Sequence, residues 1–170
     1  MNLQEAIDVA LDFEKKVRDH YLRGAQDIVD PRGRRVFATL GKEEQGHVDY
    51  LERCLAHWRK TGKVPDLPLK SVLPAGEKWI EEEKRKLAEL EGERVATKTE
   101  VDALTTALEY EREADAFYHR LVSELPKQEQ SLFHKFLGIE DRHLALVQAQ
   151  FDAVKDRGLW FDISAFIGDG

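Results

Sequence analysis

The stretch ALEYEREADAFY, residues 107–118, puts an acid where a buried helix face calls for an apolar residue. Leu104, Ala107, Glu111, Ala114, Tyr118 and Leu121 recur at steps of three and four, the spacing of one side of an α-helix. Glu111 interrupts that line. A carboxylate on a buried seam is strongly unfavourable unless something positive neutralises it. Either the seam is solvated, or a cation lies beside it.

The same arrangement occurs earlier in the chain. ALDFEKKVRDHY, residues 10–21, aligns with ALEYEREADAFY at an offset of 97, which places Glu14 on Glu111 and Tyr21 on Tyr118. Further along each half, LGKEEQGH (40–47) reads onto LGIEDRH (137–143) with one residue fewer between the LG and the acid, which is either a local bulge or a chance match of the LG pair. There Glu44 and His47 fall on Glu140 and His143 at an offset of 96. Four helical seams therefore carry polar interruptions near their middles. Leu3, Ile7, Ala10, Glu14, Val17 and Tyr21 share the first, and Leu40, Glu44, His47, Leu51 and Cys54 the second. The third contains Glu111. Phe133, Phe136, Glu140, His143 and Val147 form the fourth.

Pro and Gly punctuation bounds these helices at about Leu3–Ile28, Arg34–Lys60, Val101–Leu125 and Lys127–Lys155. Short links join the first two and the last two, so each pair reads as an antiparallel hairpin. The link between the pairs, about 61–100, is long. It holds a Pro-rich loop and then EKWIEEEKRKLAELEGERVA (77–96), which is helical in composition. Two hairpins joined by one long crossover is the layout of a ferritin-like four-helix bundle, and the fold class expected is all-α. The whole of 1–170 reads as one domain, with a helical part to about 156 and an apolar tail from 157. In that tail Trp160, Phe161, Ile163, Phe166 and Ile167 are expected to dock on the bundle or on a partner subunit.

Composition excludes several classes. The net charge of −7 leaves no basic face for nucleic acid. No apolar run approaches the ~20 residues that span a bilayer. The N-terminus MNLQEAIDVALDFEKK lacks the pattern of a secretory signal. Cys54 is the only cysteine, which rules out an internal disulfide or a multi-cysteine metal site and fits a cytoplasmic location. His20, His57, His119 and His134 lie off the seams and read as surface or rim residues. EEEKRK (81–86) reads as a solvated helix face.

Antiparallel packing brings the seam acids and histidines to one level. A Glu and a His three apart project to the same side of a helix, where both can reach one metal ion. The formal charge of four carboxylates is balanced by two divalent cations, with neutral imidazoles completing the set. Mixed carboxylate and imidazole ligands suit iron, manganese or zinc rather than magnesium or calcium. The competing reading is four solvated stripes on separate helices.

A Glu from each of two helices and a Glu-x-x-His from each of two others is the ligand set of ferritin-like di-iron proteins. Over about Leu3–Lys155 the chain resembles the rubrerythrin-type members of that group. The resemblance implies two iron ions, with Glu14 and Glu111 as terminal ligands, Glu44 and Glu140 as bridges, and His47 and His143 binding one ion each. It implies that Tyr21 and Tyr118 hydrogen-bond ligand carboxylates. It further implies reduction of hydrogen peroxide or dioxygen, and a homodimer. Two departures stand out. Rubrerythrins carry an additional carboxylate one turn after the third-helix Glu, where this chain has Ala114, so its six-residue set is closer to bacterioferritin-type sites. Rubrerythrins also carry a Cys-x-x-Cys rubredoxin module, which one cysteine cannot supply, so an external rubredoxin-like donor is required. Alternatives of other classes are a ferroxidase centre in an iron-storing assembly, a non-enzymatic interaction protein with a structural metal pair, and a dimanganese catalase.

Overall fold

In the computed structural model, residues 1–90 and 95–167 are described, and they form helices with no strand among them. The first helix, α1 (Leu3–Asp27), starts at a capping box in which Asn2 and Glu5 each satisfy the other's backbone N–H. The second, α2 (Pro31–Thr61), starts at Asp30 with Pro31 preset for the first turn, and stops at Gly62, whose φ of 69° is left-handed. After the crossover helix α3 (Lys78–Glu89) comes α4 (Lys98–Glu124), capped by Thr97. The fifth, α5 (Lys127–Arg157), follows Pro126 and ends at Gly158, again with φ 69°. A final turn, α6, covers Ser164–Ile167. The long helices match the bounds read from punctuation to within about one turn.

The crossover helix is shorter than its composition suggests. It ends at Glu89; Val95, Ala96 and Thr97 are not helical, and residues 91–94 lie outside those described. Nor is EEEKRK fully solvated: Glu83 is buried and pairs with Lys86 at 2.9 Å. One turn of α3 faces inward because Trp79, Ile80 and Leu87 anchor it.

Side-chain pairs fix the directions of the four long helices. Tyr21 meets Glu111 and Tyr118 meets Glu14, so α1 and α4 run antiparallel. Tyr50 donates to the Leu132 carbonyl at 2.8 Å, and His143 lies 3.1 Å from Glu44, so α2 and α5 are antiparallel too. Each hairpin is also antiparallel within itself: Arg18 reaches Gln45, and Arg112 reaches Gln148. It follows that α2 and α4 point the same way. The crossover must then run the length of a helix, on the order of 40 Å at 1.5 Å per residue. It does so along α5, where Lys135 holds Asp66 and the Leu67 carbonyl, and Arg142 holds the Leu73 carbonyl at 3.0 Å.

The apolar core is in two parts. One cluster gathers Leu3, Ile7 and Ala10 of α1 with Leu51 of α2, Tyr118 of α4 and Phe133 and Phe136 of α5. The other gathers Val17 and Tyr21 with Phe37, Leu40, Leu104, Ala107, Leu146 and Val147. On every long helix the seam acid falls between the two. A polar layer therefore divides the bundle, at the level where the four seams are interrupted.

The C-terminal tail docks on the bundle. Trp160 is fully buried and its indole N–H donates to Glu100 at 3.0 Å. The other oxygen of Glu100 accepts from the backbone N–H groups of Val29 and Asp30. One carboxylate thus ties the start of α4 to the α1–α2 turn and the tail. Gln150 exchanges two hydrogen bonds with the Phe161 backbone. Gly33 permits this approach, because a Cβ there would lie 2.6 Å from the Trp160 ring. Phe166 and Ile167 are only partly buried, and 168–170 lie outside the described residues.

Candidate metal centre

All six seam acids and histidines meet in the polar layer, and each is at most 1% exposed. Their atoms form two groups that share Glu44. Ligand-type atoms of Glu14, Glu44, His47 and Glu140 lie within 4.8 Å of one another, and so do those of Glu44, Glu111 and His143. The histidines face the acids through Nδ1. His47 Nδ1 lies 3.3 Å from Glu14, 3.1 Å from Glu44 and 3.4 Å from Glu140. His143 Nδ1 lies 3.1 Å from Glu44 and 3.8 Å from Glu111. The two rings are nearly parallel, 7° apart, with centroids separated by 5.3 Å.

Tyr21 and Tyr118 lie against the carboxylates, and each reaches across to the other hairpin. Tyr21 of α1 donates to Glu111 Oε1 of α4, and Tyr118 of α4 donates to Glu14 Oε1 of α1 at 2.5 Å. Burial, together with the surrounding negative charge, pushes both phenols well above their usual range, so they stay protonated as donors. Each phenol occupies one oxygen of its acid. The other oxygen, Glu111 Oε2 or Glu14 Oε2, faces a histidine Nδ1.

The electrostatics are those of a site short of positive charge. Burial raises Glu14 to about 8, aided by the charge of Glu44 against the opposing pull of His47. Burial raises Glu111 to about 7, with His143 pulling down and Glu44 pushing up. Glu140 is driven well above the carboxylate range by burial and then by Glu14, Glu44 and Glu111. Glu44 goes the other way: burial opposes its charge, but His47, Glu14 and His143 hold it well below its usual value. Burial disfavours charge on both imidazoles, and the facing acids more than offset it. Protons thus collect on this cluster and do the neutralising that a metal would do.

The donors fit a metal ion. Among the described residues, Glu44 Oε2, Glu111 Oε2 and both oxygens of Glu140 are buried without a hydrogen-bond partner, as is His47 Nε2. Native interiors rarely leave buried carboxylate oxygens unpaired, because each costs its desolvation in full. A cation coordinated by those oxygens removes the cost. Buried Glu and His groups at this spacing can hold a metal ion, and the mixed oxygen and nitrogen set suits a first-row transition metal.

The seam pattern missed one residue at the centre. Glu43 is buried, and its Oε1 lies 3.4 Å from His143 Nε2, on the far edge of that ring from the cluster. Ser71 and the Val72 N–H, both in the crossover, bond to the same carboxylate. Burial works against its charge, yet hydrogen bonds and charge from His143 and the bond from Ser71 hold it below the usual range. Glu43 precedes a seam residue by one, about 100° around the helix, so periodicity assigns it to a different face. The only signal was the acid immediately before Glu44 in KEEQGH; in IEDRH the second acid, Asp141, follows Glu140 and Ile139 precedes it.

The remaining histidines lie off the centre. His57, His119 and His134 are exposed. His20 is half-buried, with Nε2 2.9 Å from the Ala103 carbonyl. His119 joins Asp115 and Asp141 in a third acid and imidazole group at the surface. Cys54 is buried beside Tyr50, and burial raises its thiol. Ala114 is buried and Glu113 exposed, so no further carboxylate enters the layer one turn after Glu111. Among the described residues, no helix is long and apolar enough to cross a membrane. Compared with protein-family models, with curated proteins and with solved structures, the chain matches none.

Proposed function

We propose that the chain is a non-haem di-iron oxidoreductase of the ferritin-like, rubrerythrin-like kind, reducing hydrogen peroxide or dioxygen with electrons from a separate donor. The observation that carries this reading is the pair of buried Glu/His groups sharing Glu44, with carboxylate oxygens left bare around them. In this reading Glu14 and His47 would hold one iron and Glu111 and His143 the other, with Glu44 common to both groups and Glu140 as the second acid that the pair would share.

When bound, an iron pair supplies one electron per ion, enough with two protons to convert one hydrogen peroxide to two waters. The chain's own residues prepare the site for that. Tyr21 and Tyr118 hold Glu111 and Glu14 by their outer oxygens, which orients the inner oxygens. The apolar clusters above and below the polar layer limit water around it. With a single cysteine, the chain cannot itself carry a rubredoxin-type centre, and a rubredoxin-like partner fits as donor.

Stopped-flow mixing of ferrous-loaded protein tests the assignment. Oxidation by hydrogen peroxide should be at least about tenfold faster than by dioxygen. Oxidation by peroxide no faster than by dioxygen removes the peroxidase role. A ferroxidase centre is the second reading, favoured by Ala114 and the resulting six-residue set. It requires a hollow assembly of many subunits, which light scattering distinguishes from a dimer.

A further inference from the structure

The two halves of the polar layer match at every seam position, yet they differ at the outer edge of the histidines. His143 Nε2 faces Glu43 Oε1 at 3.4 Å. His47 Nε2 is buried with no hydrogen-bond partner among the described residues, and its ring stands edge-on to Phe136 at 5.1 Å. The reason lies in the repeat. Glu43 immediately precedes Glu44, while the residue preceding Glu140 is Ile139, which accepts no hydrogen bond.

Glu43 is itself held. Ser71 donates to the same oxygen that faces His143, the Val72 N–H approaches the other at 3.5 Å, and the Leu73 N–H donates to Ser71 at 3.1 Å. Arg142, next to His143, holds the Leu73 carbonyl at 3.0 Å. The crossover is therefore fastened beside His143, with Glu43 between the two.

We propose that Glu43 is a positioning residue that makes the two metal positions inequivalent, so that the His143 position binds its ion more tightly than the His47 position. This rests on the di-metal reading above. A carboxylate on Nε2–H fixes the tautomer that leaves Nδ1 free for a metal, locks the ring plane and makes Nδ1 a stronger donor. His47 receives none of these. Removing such a partner costs 10- to 100-fold in metal affinity in comparable sites, roughly. The centre then fills in order, with the ion at His143 and Glu111 first.

Cobalt(II) titration of the full chain, followed by visible absorption, reads this directly. The unmodified protein should bind two ions in two steps separated by about tenfold or more. Glu43→Gln should weaken the tighter step by about tenfold or more and leave the weaker one unchanged, so that the steps merge. In a His47→Ala background Glu43→Gln should weaken the remaining ion, and in a His143→Ala background it should have no effect. A merely structural role would not discriminate between these backgrounds. Should Glu43→Gln fail to fold, Ser71→Ala, altered only in the crossover, should weaken the tighter step by a smaller factor. Two equal steps in the unmodified protein, or equal weakening of both by Glu43→Gln, overturns the inference and leaves the di-metal reading standing. Failure to bind cobalt at all overturns both.

Discussion

Replacing Glu111 by Gln should stabilise the metal-free protein, and should do so more at pH 8 than at pH 5. Glu111 is fully buried, and its carboxyl is raised from 4.5 to about 7. A group whose folded pKa lies above its unfolded value binds its proton more tightly in the folded state. Stability is then intact below the unfolded value and is lost as pH rises through the folded one. The rise of about 2.5 units corresponds to about 3 kcal/mol at pH 8, and to less than about 1 kcal/mol at pH 5. Glu111→Gln keeps the shape, and its amide oxygen can still accept from Tyr21. Whatever Gln costs by its own chemistry is common to both pH values. The gain at pH 8 should therefore exceed that at pH 5 by about 2 kcal/mol. Urea unfolding with chelator present, at the two pH values, measures this. Adding zinc should reverse the order, since the unmodified protein gains more from the ion than the variant does. An equal effect at both pH values would refute the idea that the cluster is short of positive charge.

Tyr118→Phe leaves the buried Glu14 Oε1 without its donor, and calorimetry should read a 10- to 100-fold, roughly, loss of zinc affinity with the fold retained. Unchanged affinity would reduce Tyr118 to packing. Trp160→Ala should cost about 3–5 kcal/mol, since it empties a fully buried site and removes a hydrogen bond to Glu100. A loss below about 1 kcal/mol in urea unfolding would mean that the tail is not part of the folded core. Gly33→Ala should cost about 1–3 kcal/mol through overlap with Trp160 and Ile28, and that cost should shrink in the Trp160→Ala background. Additive costs would show that the overlap is relieved elsewhere.

The helices and the six central residues were readable from the sequence because helical periodicity is local. Steps of three and four place Glu14 or Glu111 on a buried face whatever the neighbouring helix does. The punctuation at Asp30-Pro31, Gly62, Pro126 and Gly158 fixed where each helix must stop, and the repeat fixed that the interruptions come in matched pairs. Tyr21 and Tyr118 were legible as members of the seams. Which acid each would meet was not: both reach across to the opposite hairpin, a consequence of the antiparallel α1–α4 pairing.

Glu43, Glu83 and Glu100 mark where local reasoning ends. None of these acids was singled out by the seams, and all three are buried; Glu100 stands one step of four before Leu104, on the seam's own line. Glu43 lies under the crossover and against His143, Glu83 is held on α3 beside Lys86, and Glu100 is enclosed by the α1–α2 turn and Trp160. A side chain's direction around its own helix follows from its position in the sequence. What lies in that direction depends on how helices pair and on where the long link and the tail are laid down. The sequence by itself determined four amphipathic helices with acids and histidines at one level. Only the tertiary structure decided that one histidine has a carboxylate behind it and the other has none.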